Sequence, residues 1–334
     1  MRRLLRKLVS RTLRSSGTED LRREVAELRA VLDRALHCSQ HTACAERSDS
    51  DRLRNLVNRS VHAPDGAASK IAQRVLTNQY RDMARRGDLF PSFEDVEFRA
   101  FSQNGEDGIL LYILSLIGMG KRRCVEVCAG DGIQCNTANL IINHGWHGLM
   151  FDGNESLVER GRSFYASLGD TFCFPPRFVN SWISRENINQ IIQENGFEGP
   201  IDLLSLDIDG VDYWVWEALE VVRPRVVVAE IQCIWGADRA VTVPYSPEFK
   251  TEYIDGFGVY SGASLPAFVK LARRKGYRLV GVQRLGFNAF FVEHGVGEDI
   301  LPEVDIESCV DLPFVEWAQR DLLGRVKDLP WVEV

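Results

Sequence analysis

The sequence contains no CxxC pair. Its eight cysteines, Cys38, Cys44, Cys124, Cys128, Cys135, Cys173, Cys233 and Cys309, are scattered along 334 residues. Such spacing does not make a disulfide framework, and several of them stand in apolar runs, as thiols buried in a reducing compartment do. The tightest group is His37, Cys38, His41 and Cys44, three of which share a helical face. No second ligand pair at zinc-finger spacing follows it, so a solvated helix end is the plainer reading. No run of 18 apolar residues exists, which excludes a transmembrane helix on hydropathy. The start, MRRLLRKLVSRTLRSS, lacks the continuous apolar core of a secretory signal. There is no G-x-S-x-G elbow and no GxxxxGK(S/T) phosphate loop, and the six histidines form no triad pattern. Positive charge is scarce beyond the first residues. Residues 1–14 carry six basic side chains and no acid, so the net charge of −7 leaves −13 on the remainder. An acidic body is a poor match for a phosphate backbone, and nucleic acid is not expected as a partner.

What is present divides the chain. The arm at 1–14 places Leu4, Leu5, Leu8, Val9 and Leu13 at helical spacing among arginines. It reads as a helix lying on an anionic membrane surface, as a transit peptide, or as a solvated arm. Leu21, Val25, Leu28, Leu32 and Ala35 then follow 4-3-4-3 spacing, a short coiled-coil seam that suggests a homodimer through residues 21–36. Residues 38–68 are polar, with a Pro-Asp-Gly turn at 64–66, and a helix follows at 69–86. From about residue 100, short apolar runs alternate with helical segments, the mark of a parallel α/β sheet. Strands are predicted at 124–127, 148–152, 177–179, 201–207, 225–231, 278–282 and 289–292. Helices are predicted near 106–117, 137–144, 155–167, 185–195, 211–221 and 263–275. The last two strands are joined by QRLGFN without a helix, so they form an antiparallel hairpin at one end of the sheet.

Three segments carry chemistry. In CVEVCAGDGIQCNT (124–137) an apolar strand ends in a loop with Gly130 and Gly132 and enters a helix, so the backbone can approach a ligand closely. The loop resembles a GxGxxG dinucleotide turn with Cys135 in the last slot. Glu126 inside the strand end can orient the loop or meet a cationic ligand end, and Asp131 is an awkward neighbour for a pyrophosphate. In GLMFDGNE (148–155), Asp152 ends the next strand, 20 residues after Gly132. A carboxylate there accepts ribose hydroxyls; the alternative is a cap on the following helix, from Asp152 or Asn154. In LLSLDIDGVDYWVW (203–216), an apolar strand delivers Asp207, Asp209 and Asp212 to the carboxyl edge of the sheet, where Glu230 from the next strand joins them. Such carboxylates act as a base, hold a cation, or serve as turn residues and caps. Mg²⁺ is compatible with them but not expected. Trp182 could stack on a base, although a tryptophan so placed is more often core.

These segments, in this order, resemble the FkbM-type methyltransferases, a branch of the class I S-adenosylmethionine-dependent enzymes. The resemblance begins at SQNGEDGIL (102–110) and runs through VEVCAGDGIQCNT, GLMFDGNE and LLSLDIDGVDYW. It closes on VVVAEIQ (226–232), GASLPAFVKLARRKGYRLVG (262–281) and NAFFV (288–292), covering about 190 residues with motifs in register. It implies a Rossmann-like class I methyltransferase fold, a mostly parallel seven-stranded sheet ending in an antiparallel hairpin, with an N-terminal helical and coiled-coil extension. Carried over by position, Glu126, Gly130, Asp131, Gly132, Asp152 and Asn154 would hold S-adenosyl-L-methionine. Asn180 and Ser181 would lie near the adenine, and Asn136 and Thr137 would begin the helix beneath the methionine end. Two positions depart from the family pattern. Cys128 stands where its loop opens with glycine, and Asp209 and Asp212 stand where it more often has glutamates.

The sequence therefore predicts four regions. They are a basic arm and coiled coil (1–60), a linker and helix (61–100), the methyltransferase domain (101–295), and a C-terminal extension packed on it (296–334). The expected reaction is O-methylation of a sugar, glycan or small polar acceptor, with Asp207 or Asp209 as first choice for the base and Glu230 as second. The stretch 233–260 is a candidate substrate lid. The expected location is cytoplasmic, with peripheral membrane contact through residues 1–14. The rivals are an NAD-dependent Rossmann oxidoreductase and a non-catalytic adaptor of the same fold.

Overall fold

The computed structural model describes residues 66–334 apart from Leu89, Asp255 and Gly256. The basic arm, the heptad seam and the group of His37, Cys38, His41 and Cys44 lie outside the described residues. In chain order the elements begin with α1 (Gly66–Arg86), α2 (Phe93–Val96) and α3 (Glu106–Ile117). An alternating run follows: β1 (Arg123–Val127), α4 (Ala138–His144), β2 (His147–Asp152), α5 (Glu155–Ser167) and β3 (Arg177–Asn180). It continues with α6 (Ile188–Glu194), β4 (Gly199–Leu206), α7 (Asp212–Ala218) and β5 (Val222–Glu230). Next come the short strands β6 (Val241–Thr242), β7 (Glu252–Ile254) and β8 (Phe257–Tyr260), then α8 (Leu265–Lys275), β9 (Tyr277–Val282) and β10 (Asn288–Glu293). The chain closes with α9 (Ile306–Val310), α10 (Pro313–Asp321), α11 (Leu323–Val326) and β11 (Val332–Glu333).

Seven strands form one sheet in the order β3-β2-β1-β4-β5-β10-β9. β1 to β5 pair in parallel, and β10 runs antiparallel between β5 and β9. This is the Rossmann-like class I methyltransferase arrangement that the sequence predicts, hairpin included. The strands are apolar on both faces because both faces are covered. On one side Val125, Leu204, Val227 and Phe291 pack with Trp216 of α7 and Phe268 of α8. On the other, Cys124, Leu203, Val226 and Phe290 pack with Ile109 of α3 and Leu140 of α4. α3 is buried along nearly its whole length, which is why its sequence is apolar all round.

Local chemistry sets several element ends. Ser264 Oγ accepts from the Ala267 amide to start α8, proline follows within the first turn, and Gly276 closes the helix in the left-handed region. The predicted helices at 185–195 and 211–221 are observed shorter, as α6 and α7. Asn187 adopts a helical backbone at the start of α6 without making a side-chain cap. Leu219 turns to extended backbone after α7. α1 is longer than the 69–86 predicted. It is tied to α4 by a reciprocal amide pair, Gln73 with Asn139, at 3.0 Å in each direction. The segment 233–260 is more than a lid. Cys233, Ile234 and Trp235 are buried, β6 pairs with β11, and β7 with β8 forms a hairpin. Among the described residues no helix is long and apolar enough to cross a membrane.

Candidate functional site

Strand order reverses between β1 and β4, so their loops part and leave a crevice at the carboxyl edge of the sheet. Two chambers meet there. The first is lined by Asp152, Asn154, Ser181, Trp182 and Ile183. The second, of about 320 Å³, is lined by Glu126, Asn136, Glu230, Asn288, Tyr253 and Phe314 among others. Gln103, Cys128, Asp207 and Asp209 line both, so the chambers are continuous at the end of β1.

The loop after β1 shows why each of its residues stands where it does. Glu126 is buried and fully engaged. Its carboxylate accepts the amides of Asn136 at 2.9 Å and Thr137 at 2.8 Å, and the hydroxyls of Thr137 and Ser205. It thus holds the start of α4 rather than waiting for a ligand. Asn136 Nδ2 donates to Ser205 Oγ at 3.0 Å. Cys128 has φ of 60°, the left-handed region where the family pattern has glycine. Burial and the carboxylates around it push its thiol well above the usual range. Gly130 has φ of 59° and a Cβ there would meet nothing within 4 Å, yet like Asp131 and Gly132 it lines neither chamber.

Asp131 and Gly132 do not face the crevice. Asp131 pairs with Arg160 of α5 at 3.4 Å and accepts the Ile133 amide. A Cβ on Gly132 would lie 2.6 Å from Phe178 Cζ, so this glycine serves helix–sheet packing. Gly132→Ala combines that overlap with a left-handed φ and is expected to lose about 2–4 kcal/mol of stability. Chemical denaturation measures the loss. Ligand affinity should stay near that of the unchanged chain, because residue 132 lines neither chamber.

At the end of β2, Asp152 accepts the Gly130 amide on Oδ2 and the Asn154 amide on Oδ1, each at 2.8 Å. Both oxygens keep a lone pair for the first chamber. The cap on α5 is Asn154, whose Oδ1 takes the Ser156 amide at 3.0 Å. Asn180 is drawn to the Asp152 carbonyl at 3.0 Å and does not line the crevice, whereas Ser181 does. Thr137 is buried beneath the loop and is likewise outside both chambers. Trp182, against the expectation of a core position, is 56% exposed. Its indole N–H donates to the Pro247 carbonyl at 2.7 Å, which leaves a ring face over the chamber beside Gly153.

Beyond β4 the carboxylates separate by role. Asp212 is buried and accepts the amides of Ile208 at 2.6 Å and Gly210 at 3.0 Å, a loop-holding residue. Asp207, Asp209 and Glu230 come together, each offering an oxygen within 4.8 Å of the others. Burial, then repulsion from Asp212 and Asp209, raises the Asp207 carboxyl to about 7. Burial and Asp207 drive Glu230 well above the usual carboxylate range. Sequence reasoning missed Gln103, Tyr253 and Asn288. The SQNGED segment was a signal for the first, since it delivers Gln103, Asn104 and Glu106 to the crevice from the start of α3.

No family model matches this sequence, and no curated protein matches it. Among solved structures it is similar to magnesium protoporphyrin IX methyltransferase from Synechocystis PCC 6803 with bound S-adenosylmethionine. The identity is 11%, over 56% of this chain and 77% of that one, with a TM-score of 0.36. It is also similar to an S-adenosylmethionine-dependent methyltransferase from Clostridium acetobutylicum, with 10% identity over 64% and 96% of the two chains and a TM-score of 0.37. A third is the N-terminal domain of EvdMO1 with S-adenosylhomocysteine bound, with 12% identity over 64% and 94% and a TM-score of 0.36. The architecture stated above rests on strand order and register, not on these likenesses.

Proposed function

We propose that this chain is an S-adenosylmethionine-dependent methyltransferase of the FkbM type, acting on a hydroxyl of a sugar or another small polar acceptor. The observation that carries the reading is the charge of the crevice. The amides at the start of α4, which a pyrophosphate would need, are already taken by Glu126. The chambers are lined by Asp152, Asp207, Asp209 and Glu230. A cationic sulfonium suits such a lining, and a dinucleotide polyanion does not.

The residues present fit the cofactor. Asp152 has lone pairs for both ribose hydroxyls, and Trp182 offers a ring face for the adenine. Cys128 lies at the join of the chambers and Asn136 in the second, toward the methionine end. When bound, the cofactor supplies an electrophilic methyl group, which the acceptor oxygen takes as the carbon–sulfur bond breaks and the sulfur keeps the electron pair. The protein's part is alignment and proton removal. One carboxylate of the Asp207, Asp209 and Glu230 cluster receives the acceptor's proton. Tyr253, 64% exposed on the hairpin of β7 and β8, offers the acceptor an aromatic rim. A sugar ring suits such a rim, since its C–H face packs on an aromatic and its hydroxyls meet the carboxylates.

Calorimetry of the full chain against S-adenosylhomocysteine and against NAD tests the reading. Binding of the first and not the second is expected, followed by label transfer from methyl-labelled cofactor to a sugar or lipid-linked glycan acceptor. Binding of NAD alone overturns it.

A further inference from the structure

The second chamber gathers more carboxylate oxygen than proton removal requires. Asp207, Asp209 and Glu230 converge from two strand ends. Among the described residues no lysine, arginine or histidine lines the chamber. An acidic edge alone says little. The independent observation is Asn288, the first residue of β10.

Asn288 is in register with Glu230. Directly opposed residues of an antiparallel pair put their side chains on the same face, with Cβ atoms about 4.5–5.5 Å apart. Asn288 is 6% exposed and lines the same chamber as the three carboxylates. Its amide nitrogen donates to Glu106 Oε1 at 2.9 Å. Glu106 also accepts the Asn104 amide on its other oxygen. With Glu106 accepting at both oxygens, the Asn288 amide turns its nitrogen to Glu106 and its oxygen away. The oxygen left over is buried and has no hydrogen-bond partner. Native proteins rarely leave a buried carbonyl oxygen in that state unless an ion or water meets it.

We propose that Asp207, Asp209, Glu230 and the Asn288 side-chain oxygen form a binding site for a hard divalent cation of the Mg²⁺ class. Three anionic oxygens and one neutral oxygen are the donor set such ions take, and they leave positions for water or for acceptor oxygens from the open chamber. A cation here neutralises the cluster, supplies the partner that Asn288 lacks, and makes a hydroxyl bound to it more acidic. The site is defined by these four residues whether or not the neighbouring chamber takes a sulfonium, and its test reads cation binding rather than methyl transfer.

The full chain, stripped with EDTA, is titrated with Mn²⁺ while free Mn²⁺ is read by electron paramagnetic resonance. Binding of one equivalent, displaced by excess Mg²⁺ and accompanied by a rise in melting temperature, is the expected result. Asp209→Asn and Asn288→Leu should each weaken Mn²⁺ affinity by about tenfold or more, while Asn288→Asp retains it. Melting of each variant in EDTA separates a lost ligand from a lost fold. Asp209→Asn removes one of the mutually repelling charges and should melt no lower than the unchanged chain. Absence of Mn²⁺ and Mg²⁺ binding at millimolar concentration, or affinity unchanged by Asp209→Asn, overturns the site. Cation binding without S-adenosylhomocysteine binding leaves the site standing and removes the methyl-transfer reading.

Discussion

Asp152→Ala should weaken S-adenosylhomocysteine binding by about 3–5 kcal/mol, roughly 200- to 5,000-fold in Kd. Two hydrogen bonds from ribose hydroxyls to a charged acceptor are lost together, and such bonds are worth about 1.5–3 kcal/mol each. The same carboxylate also accepts the Gly130 and Asn154 amides, so the substitution loosens the loop that the ligand lies on. Asp152→Asn is the milder control, since its oxygen keeps one of those amide bonds. Calorimetry, with thermal unfolding as a check on folding, measures both. An Asp152→Ala protein that is folded and binds S-adenosylhomocysteine as tightly as the unchanged chain would remove the first chamber as the cofactor's place.

The second large effect falls on turnover. Glu230→Gln and Asp207→Asn should each lower methyl transfer by about 10²- to 10⁴-fold, the range in which a positioned proton acceptor acts. Affinity for S-adenosylhomocysteine should stay within about tenfold of the unchanged value, because Asp152 is untouched and this ligand carries no sulfonium charge for the substituted carboxylates to hold. Single-turnover transfer to the acceptor identified by methyl labelling separates the two quantities. Loss of cofactor binding with unchanged transfer per bound cofactor would contradict the assignment of these carboxylates to the acceptor. Glutamine and asparagine keep the shape of the side chains they replace, so packing at the end of β4 and β5 is not disturbed.

Much of the fold was legible in the sequence because its signals are local. Runs such as 203–206 are continuously apolar because both faces of β4 are covered, and the absence of a helix between 282 and 288 dictates a hairpin. Part of the crevice was legible for the same reason. Asp152, Asp207 and Glu230 end strands or directly follow them, and the carboxyl edge of a parallel sheet is where ligands bind. The 20-residue spacing from Gly132 to Asp152 likewise reflects one helix and two loops between neighbouring strands.

Within that loop, spacing did not tell which residues face the crevice. Asp131 and Gly132 match the motif by position, yet one turns to Arg160 and the other lies under Phe178. Their direction depends on α5 and β3, which arrive 29 and 46 residues later in the chain. From its place in the strand, Glu126 suits either orienting the loop or meeting a ligand. It is engaged by the start of α4 and by Ser205, 79 residues away. Trp182 is exposed because the 233–260 segment offers its indole a carbonyl at Pro247, 65 residues on.

The sequence by itself determined the layered α/β architecture, the hairpin at the sheet's end and the strand ends that carry Asp152, Asp207 and Glu230. Periodicity, turn chemistry and strand polarity act within one or two elements, so they are written into short stretches of residues. Only the tertiary structure decided which side chains are free. Asn288, in register with Glu230, meets Glu106 across 182 residues of chain, and that pairing leaves its oxygen without a donor. Hydrogen-bond satisfaction in a buried site is a property of everything packed around it, and no local pattern encodes it.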